Sequence, residues 1–216
     1  MHRYVTTLAC VCSALAGSLF ITPAISAPDG PPLVVELELG GQTYRIVDGE
    51  SAKVKVGTRE VDAKIRVGAM RRFSAGGVSF EFPRDMAFEH DSQQAVEMWT
   101  LDGSDCAIMF QIFDLDAEPI ELARTVLTEM LDSVGAGSEP RETKISLGGK
   151  SHAALASKVR VSGFDQNVVA CGLNVGKRPA VLLLTEIVDP STGSAAEMKA
   201  IRDALEATFE IVDDGR

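Results

Sequence analysis

The sequence predicts an α+β chain in which an antiparallel sheet is flanked by helices and preceded by a small β-meander. The first observation is the stretch Gln94 to Asp114, QAVEMWTLDGSDCAIMFQIFD, where apolar runs lie on both sides of Asp102-Gly103. Asp-Gly supplies the positive backbone angles that a tight hairpin turn needs. In the second half of the stretch Cys106, Ile108, Phe110 and Ile112 alternate with Ala107, Met109 and Phe113. Neither face is suited to solvent, so the sheet must be covered on both sides. The second observation is a strict period of two from Leu33 to Val67, and the third is a pair of apolar stripes at helical spacing near 120–134 and 195–209.

The elements follow in chain order. Met1 to Tyr4 carries Arg3, Val5 to Ile25 is uncharged, and Ala24-Ile25-Ser26 offers small residues where a peptidase cuts. This predicts a secretory signal peptide over 1–26, cut after Ser26, and a periplasmic or secreted protein with no integral membrane span after cleavage. Two alternatives stand beside it. One is an uncleaved anchor, because the uncharged run approaches a membrane span in length. The other is a lipoprotein signal at Thr7-Leu8-Ala9-Cys10, where almost no apolar core precedes Cys10.

Ala27 to Pro32 reads as a short lead. From Leu33 to Val67, Val35, Leu37 and Leu39 alternate with Glu36 and Glu38, Val54 and Val56 with Lys53 and Lys55, and Val61 to Val67 with Asp62, Lys64 and Arg66. Gly40-Gly41, Asp48-Gly49 and Gly57-Thr58 punctuate them, which predicts a four-stranded meander over 27–70. Gly68 to Gly77 reads as the boundary with a second domain over 72–212. There Val78, Phe80 and Phe82 open a strand ending at Pro83, an irregular stretch runs to Asp91, and the central hairpin follows.

A helix is predicted over 116–134 from Ile120, Ala123, Val126, Leu127, Met130, Leu131 and Val134, with Pro119 in its first turn and Gly135 capping its end. Strands are predicted at 142–147, 153–161, 167–175 and 180–188, with turns at Gly148-Gly149 and Gly163-Phe164-Asp165. Ser194 and Glu197 match a capping box opening a closing helix, in which Met198, Ile201, Leu205 and Phe209 face inward.

Composition narrows the function classes. Removing the leader takes Arg3 and no acid, leaving 20 basic against 31 acidic residues. A nucleic acid or anionic membrane needs a basic face, and neither is expected as a partner. Cys10 and Cys12 leave with the leader, so Cys106 and Cys171 remain as an even pair in an oxidising compartment. A disulfide between them is the preferred reading, with two buried thiols as the alternative.

The chemical motifs are few. Gly149-Lys150-Ser151 resembles the end of a phosphate-binding loop, but Lys144 stands where the earlier glycine is required and a strand follows. Only His90 and His152 remain in the mature chain, with no helical spacing between them, and His90 reads as an exposed loop residue. Asp114, Asp116, Glu118 and Glu121 have Pro119 where a calcium loop needs glycine. No Gly-x-Ser-x-Gly elbow occurs. The sequence therefore predicts no catalytic residue, no cofactor and no metal ligand set. Trp99 reads as a core residue, and Phe164 as an exposed aromatic available to a partner.

The strand GVSFEFP at Gly77 to Pro83, the hairpin WTLDGSDCAIMFQIFD, the turn and strand LGGKSHAALASKV and the ending AIRDALEATFEIV together resemble the PsbP-like α/β/α sandwich over residues 72–212. That fold includes Mog-type Ran-binding proteins and DcrB-like bacterial envelope proteins. The resemblance implies a non-enzymatic module that binds other proteins, and carries over no residue-level site. Function is thus expected to be recognition of a protein or peptide partner in the cell envelope. The alternatives are a hydrolase or other enzyme with an unrecognised carboxylate site, and a purely structural envelope protein.

Overall fold

The computed structural model describes residues 34–47, 50–65, 67–93, 95–134 and 137–212. The predicted leader, the lead 27–32, the Asp48-Gly49 turn and the Gly135 cap lie outside them. The chain divides into two compact units, with the division after Ala69.

The first unit holds two antiparallel hairpins, β1 (Val34–Leu39) with β2 (Gln42–Val47) and β3 (Ser51–Val56) with β4 (Arg59–Lys64). Gly40 and Gly41 turn the first hairpin with positive φ of 59° and 78°, angles that only glycine adopts without strain. The four predicted strands are present, but they form two two-stranded sheets instead of one meander. A side chain joins them: the Tyr44 hydroxyl accepts a hydrogen bond from the Lys55 amide at 2.9 Å.

The second unit is built on a seven-stranded antiparallel sheet. Its strands are β7 (Ala87–Gln93), β8 (Val96–Asp102), β9 (Cys106–Phe113), β10 (Arg141–Leu147), β11 (Lys150–Val161), β12 (Phe164–Val175) and β13 (Arg178–Ile187). Their order is β10-β11-β12-β13-β9-β8-β7. The chain lays down β7 to β9 as one meander, crosses by helix α1 (Pro119–Val134), and lays down β10 to β13 as a second meander that returns β13 beside β9. β9 and β13 therefore form the spine, and every residue of β9 is buried.

Each face has its own core. On one face Cys106, Ile108, Phe110 and Ile112 pack with Leu182, Leu184, Trp99, Leu101, Cys171 and Leu173. This face is covered by helix α2 (Ala196–Thr208) through Met198, Ile201 and Leu205, and by a small sheet of β5 (Met70–Ala75), β6 (Val78–Pro83) and β14 (Glu210–Ile211). Phe73, Phe80, Trp99 and Phe110 make a chain of ring contacts with centroids 4.8 to 6.2 Å apart. On the other face Met109, Phe113, Val181, Leu183, Val168 and Ala170 pack against Leu122, Ala123, Val126, Leu127, Met130 and Leu131 of α1. The predicted α+β architecture, with both faces of the sheet covered, is what the chain forms.

The division after Ala69 falls within Gly68 to Gly77, where β5 also lies and Gly76-Gly77 turn β5 into β6 with φ of 57° and 72°. Three local expectations are corrected. The stretch before Asp91 is not irregular: β7 occupies it as an edge strand whose first six residues are exposed, so it lacks the apolar alternation that marks half-buried strands. The central turn is not at Asp102-Gly103. Asp102 pairs with Ala107, and the Gly103 amide donates to the Cys106 carbonyl at 2.8 Å, which leaves Ser104-Asp105 as the turn. Finally, α1 starts at Pro119, three residues later than predicted, because the residues before a proline disfavour helix.

The approach of α1 to the sheet depends on Gly172 of β12. A Cβ at that position would strike the Pro119 carbonyl and lie 2.7 Å from the Ile120 amide, both backbone groups that cannot yield alone. Gly172→Ala is expected to destabilise the protein by about 2–3 kcal/mol, the cost of overpacking a tight contact. Urea denaturation checks this, and a change below about 0.5 kcal/mol, the range of ordinary surface substitutions, would remove the proposed constraint.

Candidate functional site

Ionisable groups concentrate where the β8–β9 turn meets the start of α2. Glu186, near the end of β13, is 2% exposed. Its carboxylate is nonetheless satisfied: it accepts hydrogen bonds from the Ser194 hydroxyl, the Ala195 amide at 3.2 Å and the Asn167 side chain at 3.2 Å, and pairs with Arg202 at 2.9 Å. A buried charge persists when its lone pairs are all engaged in this way.

Glu197, in the first turn of α2, accepts the Ser104 amide at 2.9 Å. A Cβ on Gly103 would collide with this carboxylate, so glycine at 103 serves close approach of the turn to the helix. The predicted capping box is therefore corrected. Ala195 is the N-cap without a side-chain bond, because Ser194 is committed to Glu186 and Glu197 to the β8–β9 turn. Tertiary partners have outbid the local ones.

Asp105, Cys106 and Glu197 place their ligand-type atoms within 4.8 Å of one another. Burial is the main cause holding the Asp105 carboxyl above its ordinary range, followed by its hydrogen bond to Glu197 and the charges of Glu197 and Glu186. The pair thus favours a retained proton, since two carboxylates at hydrogen-bonding distance resist joint ionisation. Burial first, then Glu197, Asp105 and Glu186, also push the Cys106 thiol well up. Such a thiol is a weak nucleophile. Chemically, the cluster ties a turn to a helix. Two clefts among the described residues lie elsewhere. One of about 410 Å³ is lined by Thr128, Leu131, Asp132, Ser138 and Glu139, the other of about 260 Å³ by Ser92, Gln93, Glu97, Asp114 and Arg178. None of the cluster's acids lines either.

The predicted disulfide is corrected. Cys106 and Cys171 are both free and buried. Cys106 stands opposite Glu186 on β13, whereas Cys171 on β12 stands opposite Leu182, with β13 lying between the two cysteine strands. Two strand spacings and four residues of rise separate their Cα atoms by roughly 16 Å. A disulfide spans at most about 7 Å. Both thiols share one core face and behave as small hydrophobes, and burial pushes Cys171 up to about 12. Evenness in number carried no information about register.

Phe164, the predicted contact residue, opens β12 directly after the Ser162-Gly163 turn and is 42% exposed. It stands apart from the acid–thiol cluster in function, since no bond joins them. His90 is exposed as predicted, but on strand β7 instead of a loop, with its ring stacked on Trp99 at 5.1 Å. Trp99 is a core residue, 6% exposed.

Sequence reasoning missed the outer edge of β7. Among the described residues β7 pairs only with β8, so its outward N–H and C=O groups have no strand partner. Phe88 and His90 project on one side, Phe88 within 6.4 Å of Phe73 yet 46% exposed. Glu89 and Asp91 project on the other, where Asp102 of β8 also lies. Burial and then the Glu89 charge raise the Asp102 carboxyl.

No family profile and no curated sequence matches the chain. Among solved structures it is similar to a protein of Bacteroides thetaiotaomicron at 15% identity, TM-score 0.44, over 69% of this chain and 51% of that one. The chain thus spans about half the length of that protein. It is also similar to the Ran-binding protein Mog1p of Saccharomyces cerevisiae at 8% identity, TM-score 0.45, over 68% of this chain and 97% of that one. A third is LpqN, involved in cell envelope biogenesis of Mycobacterium tuberculosis, at 15% identity, TM-score 0.40, over 67% and 92%. Among the described residues, no helix is long and apolar enough to cross a membrane.

The raised Asp105 carboxyl has a definite sign in the pH dependence of stability. A carboxyl whose folded pKa exceeds its unfolded value of 3.8 contributes stability that is fully present below that value and lost as pH rises through the folded pKa. Asp105→Asn keeps a donor for Glu197 and cannot ionise. Relative to wild type, it is expected to become increasingly stable as pH rises above about 4, read as urea midpoints. A constant difference as pH rises would mean that folding does not hold the Asp105 carboxyl above its unfolded value.

Proposed function

We propose that this protein is a non-enzymatic binding or accessory module of the cell envelope, exported by its N-terminal segment to the periplasm or exterior, where it recognises a protein or peptide. The observation that carries this reading is the open edge of β7 with half-exposed Phe88 beside it. An unpaired edge on a rigid, doubly covered sheet is the feature that β-strand addition uses. Phe164 offers a second aromatic contact at the start of β12.

A native pull-down of the tagged protein from the envelope fraction of its source, read by mass spectrometry, tests this. A near-stoichiometric protein is expected with wild type and is expected to be depleted about tenfold or more with Phe88→Ser, the loss typical of a contact aromatic. Recovery of the tagged protein alone under mild washing would contradict the proposal.

A further inference from the structure

We infer that the outer edge of β7 takes an extended basic peptide, one that carries Lys or Arg at alternate positions and adds to the sheet as an eighth strand. The inference rests on the binding-module reading and deepens it. A strand added beside β7 places successive side chains on opposite faces. On one face it meets Phe88 and His90, whose rings continue the aromatic chain of Phe73 and Trp99 outward. On the other it meets Glu89 and Asp91, with Asp102 behind them.

Charge decides the class of partner. No ion pair engages Glu89, Asp91 or Asp102 among the described residues, and Asp91 is bonded only to the Gln93 side chain at 3.2 Å. The nearest Lys or Arg in sequence, Arg84, pairs with Asp85 at 3.4 Å. Burial first, and then the charge of Glu89, raise the Asp102 carboxyl, and a cation laid across Glu89 and Asp102 relieves the repulsion between them. Opposite charges directly across a strand pair are favourable and like charges unfavourable. An acidic or neutral peptide forgoes this gain.

The same rule disfavours antiparallel pairing with a second copy of this chain. Antiparallel pairing of two β7 edges about His90 sets Glu89 opposite Asp91 twice. Pairing about residue 89 or 91 sets an acid opposite itself. Each register stacks like charges at an unpaired edge, which is how natural proteins discourage edge-to-edge association.

The test uses the full-length protein and a fluorescein-labelled peptide of sequence KVKVKVKVK, with EVEVEVEVE as its acidic twin and a third peptide N-methylated at every second residue. Anisotropy is expected to show saturable binding of the basic peptide alone, with a change in Trp99 fluorescence because His90 stacks on that ring. Glu89→Lys with Asp91→Lys is expected to weaken binding about tenfold or more, as charge reversal of paired sites does. Both side chains are exposed, so the variant folds. N-methylation is expected to cost as much, and hydrogen exchange to show new protection in 87–93. Failure of the basic peptide to bind, equal binding by the charge-reversed variant, insensitivity to N-methylation, or protection elsewhere would each overturn the inference. A partner captured from the envelope that binds the charge-reversed variant as well as wild type would overturn it while leaving the binding-module reading intact.

Discussion

The structure depends on one constraint, which is that β9 is buried along its whole length on both faces. Eight consecutive buried residues, at about 1.5–3 kcal/mol for each large apolar side chain removed from water, make this the most valuable strand to bury. No single layer can cover it, because successive side chains point to opposite sides. One face therefore recruits α1, and the other recruits α2 together with the β5-β6-β14 sheet. The crossover that delivers α1 also separates the two meanders, which is how β13 comes to lie beside β9.

Much of this was legible because hydrophobic pattern reports burial. The two-faced apolar run of 106–113 demanded a doubly covered sheet, and the stripe through Ala123, Val126, Leu127 and Met130 demanded a helix with one inward face. Gly148-Gly149 lies at a turn for the reason glycine pairs usually do, with φ of 56° and 71°. What failed was local chemistry overridden by tertiary partners. Ser194 and Glu197 spell a capping box, yet each finds a stronger commitment across the fold. Asp102-Gly103 spells a turn, yet the glycine is needed immediately before the bend so that Glu197 can lie against it.

The site was less legible than the fold for a physical reason. An exposed edge strand needs no apolar alternation, so Ala87–Gln93 carries the composition of a loop. Whether such a strand is an edge depends on the strand order, which a single sequence does not contain. The cysteine pair failed for the same reason: both lie on one face, yet β13 stands between their strands, a matter of register invisible to cysteine arithmetic.

The proposed function rests on a contrast within one sheet, a spine at β9 and β13 that is closed on both faces and an edge at β7 that has no outer strand partner among the described residues. Amide hydrogen exchange of the free protein measures that contrast directly. The account predicts that β9 and β13 exchange only by global unfolding, while alternate amides of β7, those pointing outward, exchange at nearly unprotected rates. Uniform slow exchange along β7, equal to that of β9, would mean that the edge is already occupied and would contradict it.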